Sequence, residues 1–390
     1  QGSEMTAKYV FYMLMYMLFS TGFTIVMVPY NGLLPDMVDD YTVRSKFSGV
    51  RMIFSTFGAI LAGLIPTLMI KDNTNPAPYF TVALIFGVIF LIVILITFFG
   101  TWEKQKEPIK VGFAESFIQS LTVYKSRSFK LFIGIFLCGQ GAADFVTGLA
   151  VYYVDDVLNA YGGGRFTYLM AVILLSQFVG TILFTPIMAR TSKKFPLLVG
   201  FPVRIAATLA LLLFSHEGAN FTVILILSFI IGLGMAGSST TIYAILADMA
   251  DVDRLITSLS RPGIVSAMAT FIRKIATGLS TAIIGLMLSM VGYSETLATA
   301  GERQALATQH GIAYIYVFAP IVLMALAIMF TVWFPMKKKE FEIIKKDIAR
   351  RTGEDDSAAT EEEIKVCEKL TGFSYDRLWD PENALSFKSK

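Results

Sequence analysis

The amino-acid sequence predicts an all-α membrane protein, a helical bundle, and three observations carry that prediction. The chain is 55% hydrophobic and only 16% charged, against about 45–50% and about 25% in an ordinary soluble domain. Its mean hydropathy is +0.62. The apolar residues also gather in runs of about 20, long enough to cross a bilayer as helices, without the alternation of a barrel strand.

Nine spans are expected, at Tyr9–Leu34, Phe47–Ile70, Tyr79–Thr101, Leu131–Tyr153, Tyr168–Ala189, Pro196–Phe214, Phe221–Ala247, Gly263–Val291 and Ile312–Phe334. They must be helical, because only helices and closed barrels satisfy their own backbone in lipid. Orientation follows from Lys and Arg in the loops. Lys104, Lys106, Lys110, Lys125 and Arg127 follow the third span, Lys193 and Lys194 follow Arg190, and Lys337, Lys338 and Lys339 open the tail. These loops fall on one side if the chain alternates. The opposite loops carry only Lys71, Arg165 and Arg303 among polar neighbours. The basic side is therefore expected to be cytoplasmic, with the C-terminus inside and residue 1 outside.

Four regions result: spans in 1–102, a cytoplasmic linker at 103–130, spans in 131–335, and a charged, soluble-looking cytoplasmic tail at 336–390. In the linker, Phe113, Phe117, Leu121 and Tyr124 recur at helical spacing, which fits an amphipathic helix along the bundle or a solvated segment with a few apolar contacts. Two Cys, Cys138 in a span and Cys367 in the tail, and two His leave no disulfide framework, metal cluster or His-based chemistry. No nucleophile–base pair stands out, so no enzyme, cofactor or nucleic-acid partner is expected. The partner expected from composition is the lipid bilayer.

An internal repeat organises the chain. Leu34-Pro35-Asp36-Met37-Val38-Asp39 resembles Leu246-Ala247-Asp248-Met249-Ala250-Asp251 at an offset of 212 positions. Each copy leaves a span, enters a basic loop (Arg44; Arg254 and Arg261) and leads into another span. Parallel repeats of this kind build large transporter folds. Three spans precede the second copy's pair, starting near Leu131, Tyr168 and Pro196, so the expectation is an intact molecule of twelve spans, six plus six, of which this chain carries nine. The opening Gln1-Gly2-Ser3-Glu4 has no initiator Met or cleavable signal, which agrees with a partial sequence.

Ionisable groups inside spans are costly and point to function. Asp144 lies mid-span, four positions after Gln140 on the same face. Arg273 and Lys274 lie inside the eighth span and point about 100° apart, so one of them is expected to face a central cavity. Lys274, one turn after Thr270, is the candidate; an ion pair fixing helix packing is the alternative. Arg51 opens the second span, and snorkelling to the interface is its plainer reading. Arg204, in the sixth span, reads as structural. Pro29 and Gly32 interrupt the first span near its cytoplasmic end, as a gate or as an ordinary kink. Gly232, Gly234 and Gly237 suit close helix packing.

The run Val28-Pro29-Tyr30-Asn31-Gly32-Leu33-Leu34-Pro35, with Asp40-Tyr41, Arg44 and Gly49-Val50-Arg51-Met52, resembles the fourth-to-fifth span signature of the glycoside–pentoside–hexuronide:cation symporters, which have the major facilitator fold. Ala247-Asp248-Met249, Arg261-Pro262-Gly263 and Thr270-Phe271-Ile272-Arg273-Lys274 resemble that family's tenth-to-eleventh span region. The resemblance implies a sugar–cation symporter of the bacterial inner membrane. Arg51 and Thr270 match positions lining the sugar site, Lys274 the intramembrane lysine beside it, and Asp144 a cavity-facing position. Two departures stand out. The family's sodium-binding carboxylate falls at Met27, and a sugar-stacking tryptophan falls at Asn31. The expected substrate site is thus Asn31, Arg51, Asp144, Thr270 and Lys274, with Asp144 also the coupling group. A lysolipid carrier and a non-transporting membrane sensor are the competing readings.

Overall fold

The computed structural model describes residues 2–38, 40–70, 76–102, 113–160 and 164–385. The loop cations Lys71, Lys104, Lys106 and Lys110, the repeat residue Asp39 and the side chain of Asp36 lie outside that description.

Nine long helices coincide with the nine expected spans: α1 (Gly2–Met37), α2 (Tyr41–Met69), α3 (Pro76–Gly100), α5 (Arg127–Tyr152), α6 (Arg165–Arg190), α7 (Phe195–Leu212), α8 (Phe221–Thr257), α9 (Pro262–Met290) and α11 (Leu306–Trp333). Eight of them are long and apolar enough to cross a membrane over their described residues. The remaining one, α2, has 29 residues and opens with the polar stretch Tyr41–Lys46. Local chemistry sets the helix starts. The Asp40 carboxylate accepts from the Val43 N–H at 2.7 Å, Asn220 caps α8 and Ser126 caps α5, each supplying a partner to an orphan N–H of the first turn. At its outer end α5 continues as a π-helical turn, Tyr153–Val157, so it runs past the expected boundary.

The packing is uneven. The hydrophobic core lies almost wholly among α5–α9 and α11, in an inner cluster around Phe129, Phe132, Phe201 and Met249 and an outer one around Leu149, Tyr153 and Tyr316. Among the described residues, α1–α3 add only Tyr41 and Val82 to the buried apolar set. In lipid, apolar surface gains little by being covered, so helix contact is decided by how closely backbones approach. A Cβ on Gly234 would sit 2.7 Å from the Gly200 carbonyl oxygen, and one on Gly232 would sit 1.8 Å from Ser176 Oγ. The glycines expected to serve packing do so, joining α8 to α7 and α6.

The linker carries a short helix, α4 (Phe113–Leu121), and a 3-10 turn at Thr122–Lys125. Leu121 and Tyr124 pack on the inner core while Phe117 stays exposed; the side chain of Phe113 lies outside the description. A short helix, α10 (Glu295–Ala300), joins α9 to α11. The tail forms α12 (Lys338–Thr352), α13 (Glu361–Thr371) and α14 (Glu382–Leu385). It is charged, as expected, but it is docked. Phe341, Ile344, Cys367, Leu370 and Leu378 belong to the inner core. The Trp379 and Asp380 N–H groups donate to the Leu255 and Ile256 carbonyls at 2.9 and 3.2 Å. Composition marked these helices as polar but could not show that one face of each is apolar and covers the bundle.

Candidate functional site

The site begins with one face of α1. Ser20, Thr24, Met27 and Asn31 recur at spacings of four, three and four, which stacks them in a single stripe. Lys274 of α9 meets one end of the stripe. Its ammonium donates to the Ser20 carbonyl at 3.1 Å, to Ser20 Oγ at 2.9 Å and to Thr24 Oγ1. Arg51 of α2 meets the other end, donating to Asn31 Oδ1. Its guanidinium lies over the rings of Tyr30 at 4.7 Å and Tyr243 of α8 at 5.1 Å, close enough for a cation–π contact with each. Among the described residues, neither cation has a carboxylate within ion-pair distance.

On another side of α9, Arg273 turns toward α5. Its two terminal nitrogens donate to the two oxygens of Asp144, each at 2.7 Å. The planar fork of the guanidinium suits a carboxylate that accepts two parallel bonds. The two side chains are 21% and 23% exposed. Beside the pair lies a cavity of about 510 Å³ lined by Asp144, Thr147, Tyr152, Thr277, Ser280 and Thr281 among others. Thr277 Oγ1 accepts a further bond from Arg273 at 2.6 Å.

The structure thus places Asn31, Arg51 and Lys274 along one slot. Thr270 lies half-buried one turn before Lys274 on α9, and Asp144 sits with Arg273 on a neighbouring side of that helix. No ion pair joins Asp144 to Lys274. Pro29 lies on the exposed side of an α1 that stays helical through it. Gly32 lies where α1 crosses α9: a Cβ there would stand 3.3 Å from Gly263 Cα and N.

Below the slot, the end of the bundle that carries the tail is sealed. Arg44 of α2, fully buried, donates to Asp251 at 2.6 Å and Asp248 at 3.3 Å, both on α8. Lys193, in the α6–α7 loop, donates to both Asp248 oxygens at 2.6 and 2.7 Å. Its backbone N–H donates to Tyr41 Oη at 3.1 Å, and its ammonium lies 4.1 Å from that ring. Phe341 of the tail stacks on Tyr41 and covers the Arg44 guanidinium at 5.5 Å, while Lys345 reaches Asp251 at 3.4 Å. Burial pushes the Lys193 ammonium down to about 8, with Asp248 opposing the fall. Nearby, Arg261 donates to both Asp253 oxygens and to Thr122 Oγ1 of the linker at 3.0 Å.

Ionisable side chains within apolar helices, a polar stripe between two groups of helices, and a sealed end are the features of a carrier. The chain matches the family described as MFS/sugar transport protein over residues 2–338. It belongs to that family. It is therefore an integral membrane protein of a transporter family, not an enzyme. Curated relatives are distant. The chain is 23% identical over 340 residues to a Salmonella typhimurium protein named "Putative 2,3-dihydroxypropane-1-sulfonate exporter", covering 84% of this chain and 70% of that one. The Escherichia coli protein of the same name is covered over 64% of its length. A glucuronide carrier protein homolog of Escherichia coli is 25% identical over 353 residues, 88% of this chain and 74% of the relative. The isoprimeverose transporter of Lactiplantibacillus pentosus is 25% identical over 346 residues, 84% and 68% of the two chains. The sugar-transporter family resemblance read from the Val28–Pro35 and Thr270–Lys274 runs is borne out.

Sequence reasoning missed several members of these clusters. A lone mid-span carboxylate requires a cation, and that requirement could have pointed from Asp144 to Arg273. Ser20 and Thr24 carry no such signal, since hydroxyls occur throughout apolar helices. The bond from Arg44 to the second repeat copy was half visible: the repeat placed both loops on one side without showing that one supplies the other's counter-charge.

Proposed function

We propose that the protein moves a sugar or glycoside across the bacterial inner membrane by alternating access, coupled to a cation. The observation that supports this best is the slot itself, in which α1 and α2 supply Asn31 and Arg51 while α8 and α9 supply Tyr243 and Lys274. A site divided between two groups of helices changes exposure when they rock, while each group moves as a rigid body. The sealed end, with the basic loops around it, is the cytoplasmic face, and the C-terminal tail lies there. In this arrangement the slot is cut off from the cytoplasm.

Coupling is assigned to Asp144. Met27 offers only a soft thioether where the resemblance puts a sodium-binding carboxylate, and sodium is a hard cation held by oxygen. A proton needs only one carboxylate. Protonation of Asp144 frees Arg273 from its bidentate partner, and the loss of that bond links proton loading to a change in the α5–α9 contact. The test is uptake into proteoliposomes with a proton gradient or a sodium gradient imposed alone. Uptake driven by protons and lost in Asp144→Asn supports the reading. Strict sodium dependence with Asp144→Asn fully active overturns the coupling assignment, and no uptake of any sugar or glycoside overturns the transport reading.

A further inference from the structure

We propose that the tail is a brake on opening: anchored on the end of α8, it rests Phe341 on α2 and holds the sealed end shut. The proposal rests on the rocking of two groups of helices in the transport reading, and not on what is carried.

The anchor is built from backbone groups. α8 ends at Thr257, and the carbonyls of its last turn have no partners within the helix. The tail supplies them. The Trp379 and Asp380 N–H groups donate to the Leu255 and Ile256 carbonyls at 2.9 and 3.2 Å. Asn383 Nδ2 donates to the Ile256 carbonyl at 3.0 Å and to the Arg377 carbonyl at 2.8 Å. Ser128 Oγ, in the first turn of α5, donates to the Leu370 carbonyl at 2.7 Å. These bonds join the tail to α5 and α8 alone, so they survive when α2 moves away.

The arm that leads back from the anchor is stiff. The buried Asp347 carboxylate of α12 accepts from Arg351 Nε at 3.0 Å and from the hydroxyl of Tyr375, in the turn Tyr375–Arg377. Arg351 also donates to the Leu378 and Tyr375 carbonyls, each at 3.3 Å. Arg350 donates to Glu363 of α13 at 2.7 Å. α12 therefore keeps its place relative to the anchor.

Phe341 of that arm reaches α2. It is the largest buried side chain of α12, 1% exposed. Its ring lies 5.3 Å from that of Tyr41, centroid to centroid, and 5.5 Å from the Arg44 guanidinium. The Lys193 ammonium of the α6–α7 loop is 5.7 Å away. Aromatic pairs and cation–π contacts stabilise the arrangement that makes them. The ring also keeps water from the Arg44–Asp251 pair, whose attraction is stronger when dry. Opening parts Tyr41 and Arg44 from Phe341 in one step, because the arm stays with α8.

Ser48 can report that step. It is buried in α2, one turn beyond Arg44, and its hydroxyl has no hydrogen-bond partner, so cysteine replaces it at little cost. It lies seven positions from Tyr41, about 10 Å along the helix, so a hole left at Phe341 does not reach it. Full-length Ser48→Cys protein in detergent is treated with a thiol reagent, and the parent sets the background from Cys138 and Cys367. Labelling is expected to be about tenfold faster in Phe341→Ala, one decade being about 1.4 kcal/mol. A cysteine at Ser128, under the anchor, should stay protected in the same variant. Phe341→Ala with Tyr41→Leu should speed labelling by less than the product of the separate effects, because both remove one contact. Asn383→Ala, which loosens the anchor and leaves Phe341 in place, should speed it about twofold to threefold; this variant decides the matter if Phe341→Ala fails to fold, and unchanged labelling in it would then overturn the brake. Unchanged labelling at 48 in folded Phe341→Ala protein overturns it too. So does an equal rise at 128, which would mean that the tail has come away instead of α2. Strictly multiplicative effects of Phe341→Ala and Tyr41→Leu also overturn it. Labelling that rises in Arg44→Gln but not in Phe341→Ala contradicts the brake alone, whereas labelling that rises in neither contradicts the rocking reading as well.

Discussion

Two levels of α2 and α9 treat positive charge in opposite ways. At the end covered by the tail, Arg44, Lys193 and Arg261 are buried, and each is matched by an aspartate of α8. Further along α2 and α9, Arg51 is half-buried and Lys274 exposed, and among the described residues both are matched by neutral groups. The same residue types on the same helices do different work because of their partners. A paired, dry cation fixes how two helices meet, since breaking the pair strands a charge. A cation that meets only neutral groups strands no carboxylate when its helices part.

That contrast breaks first at Arg44. Replacing Arg44 with Gln leaves Asp251 and Asp248 short of a partner in a dry site, which should cost the closed arrangement about 3–5 kcal/mol. In a protein with Cys138 and Cys367 replaced by Ser, a cysteine introduced at the fully buried Ser45 should then react much faster with a thiol reagent supplied from the cytoplasmic side. Unchanged labelling would mean that the pairs do not hold the end shut.

The Asp144–Arg273 pair should show a smaller effect, because it is about a fifth exposed. Asp144→Asn or Arg273→Gln alone should lower stability by about 2–3 kcal/mol, and the double variant should recover part of that loss. A thermal double-mutant cycle in detergent measures the recovery; strictly additive losses would show that the two side chains do not act as a pair.

Gly49 tests closure by shape instead of charge. A Cβ there would stand 2.1 Å from Thr185 Cγ2 and 2.7 Å from its Cβ, between α2 and α6. Gly49→Ala should weaken closure by about 1–3 kcal/mol, read by the same labelling assay, and Thr185→Ala in addition should restore it in part, because the Cβ at position 185 remains. The smallest effect concerns pH. Lys193 loses its proton near 8 when buried, against 10.5 for an ordinary lysine. The closed form therefore binds fewer protons than an open form between those values, so closure should strengthen as pH rises from about 8 to 10.5 and change little below 8. Lys193→Gln should flatten that slope in the labelling assay.

The fold was legible in the sequence because lipid simplifies the code. An uninterrupted apolar run in a bilayer has one ordinary structure, and all nine runs became helices. The repeat between Leu34–Asp39 and Leu246–Asp251 placed its two loops on one side, where Arg44 meets Asp248 and Asp251. Contacts between helices were not legible, because the pattern within a span does not state its rotation. That is why one residue of the Arg273–Lys274 pair was expected to face inward, although Arg273 reaches α5 and Lys274 reaches α1. The tail was hidden for a related reason. Its lysines and glutamates dominate its composition, whereas its docking depends on Phe341, Ile344 and Leu370, few in number and aligned only once the helix forms.

The most direct test of the account is a lock at the crossing of α1 and α9. A Cβ on Gly32 lies 3.3 Å from Gly263 Cα, so cysteines at 32 and 263 are near enough for a disulfide. Gly32→Cys/Gly263→Cys protein in proteoliposomes, in the background lacking Cys138 and Cys367, would be oxidised and assayed for uptake of whichever sugar stabilises it, then reduced and assayed again. The account predicts that the oxidised protein still binds the sugar but does not carry it, and that reduction restores uptake. Full uptake by fully crosslinked protein would contradict it, because the sealed end would then not need to open.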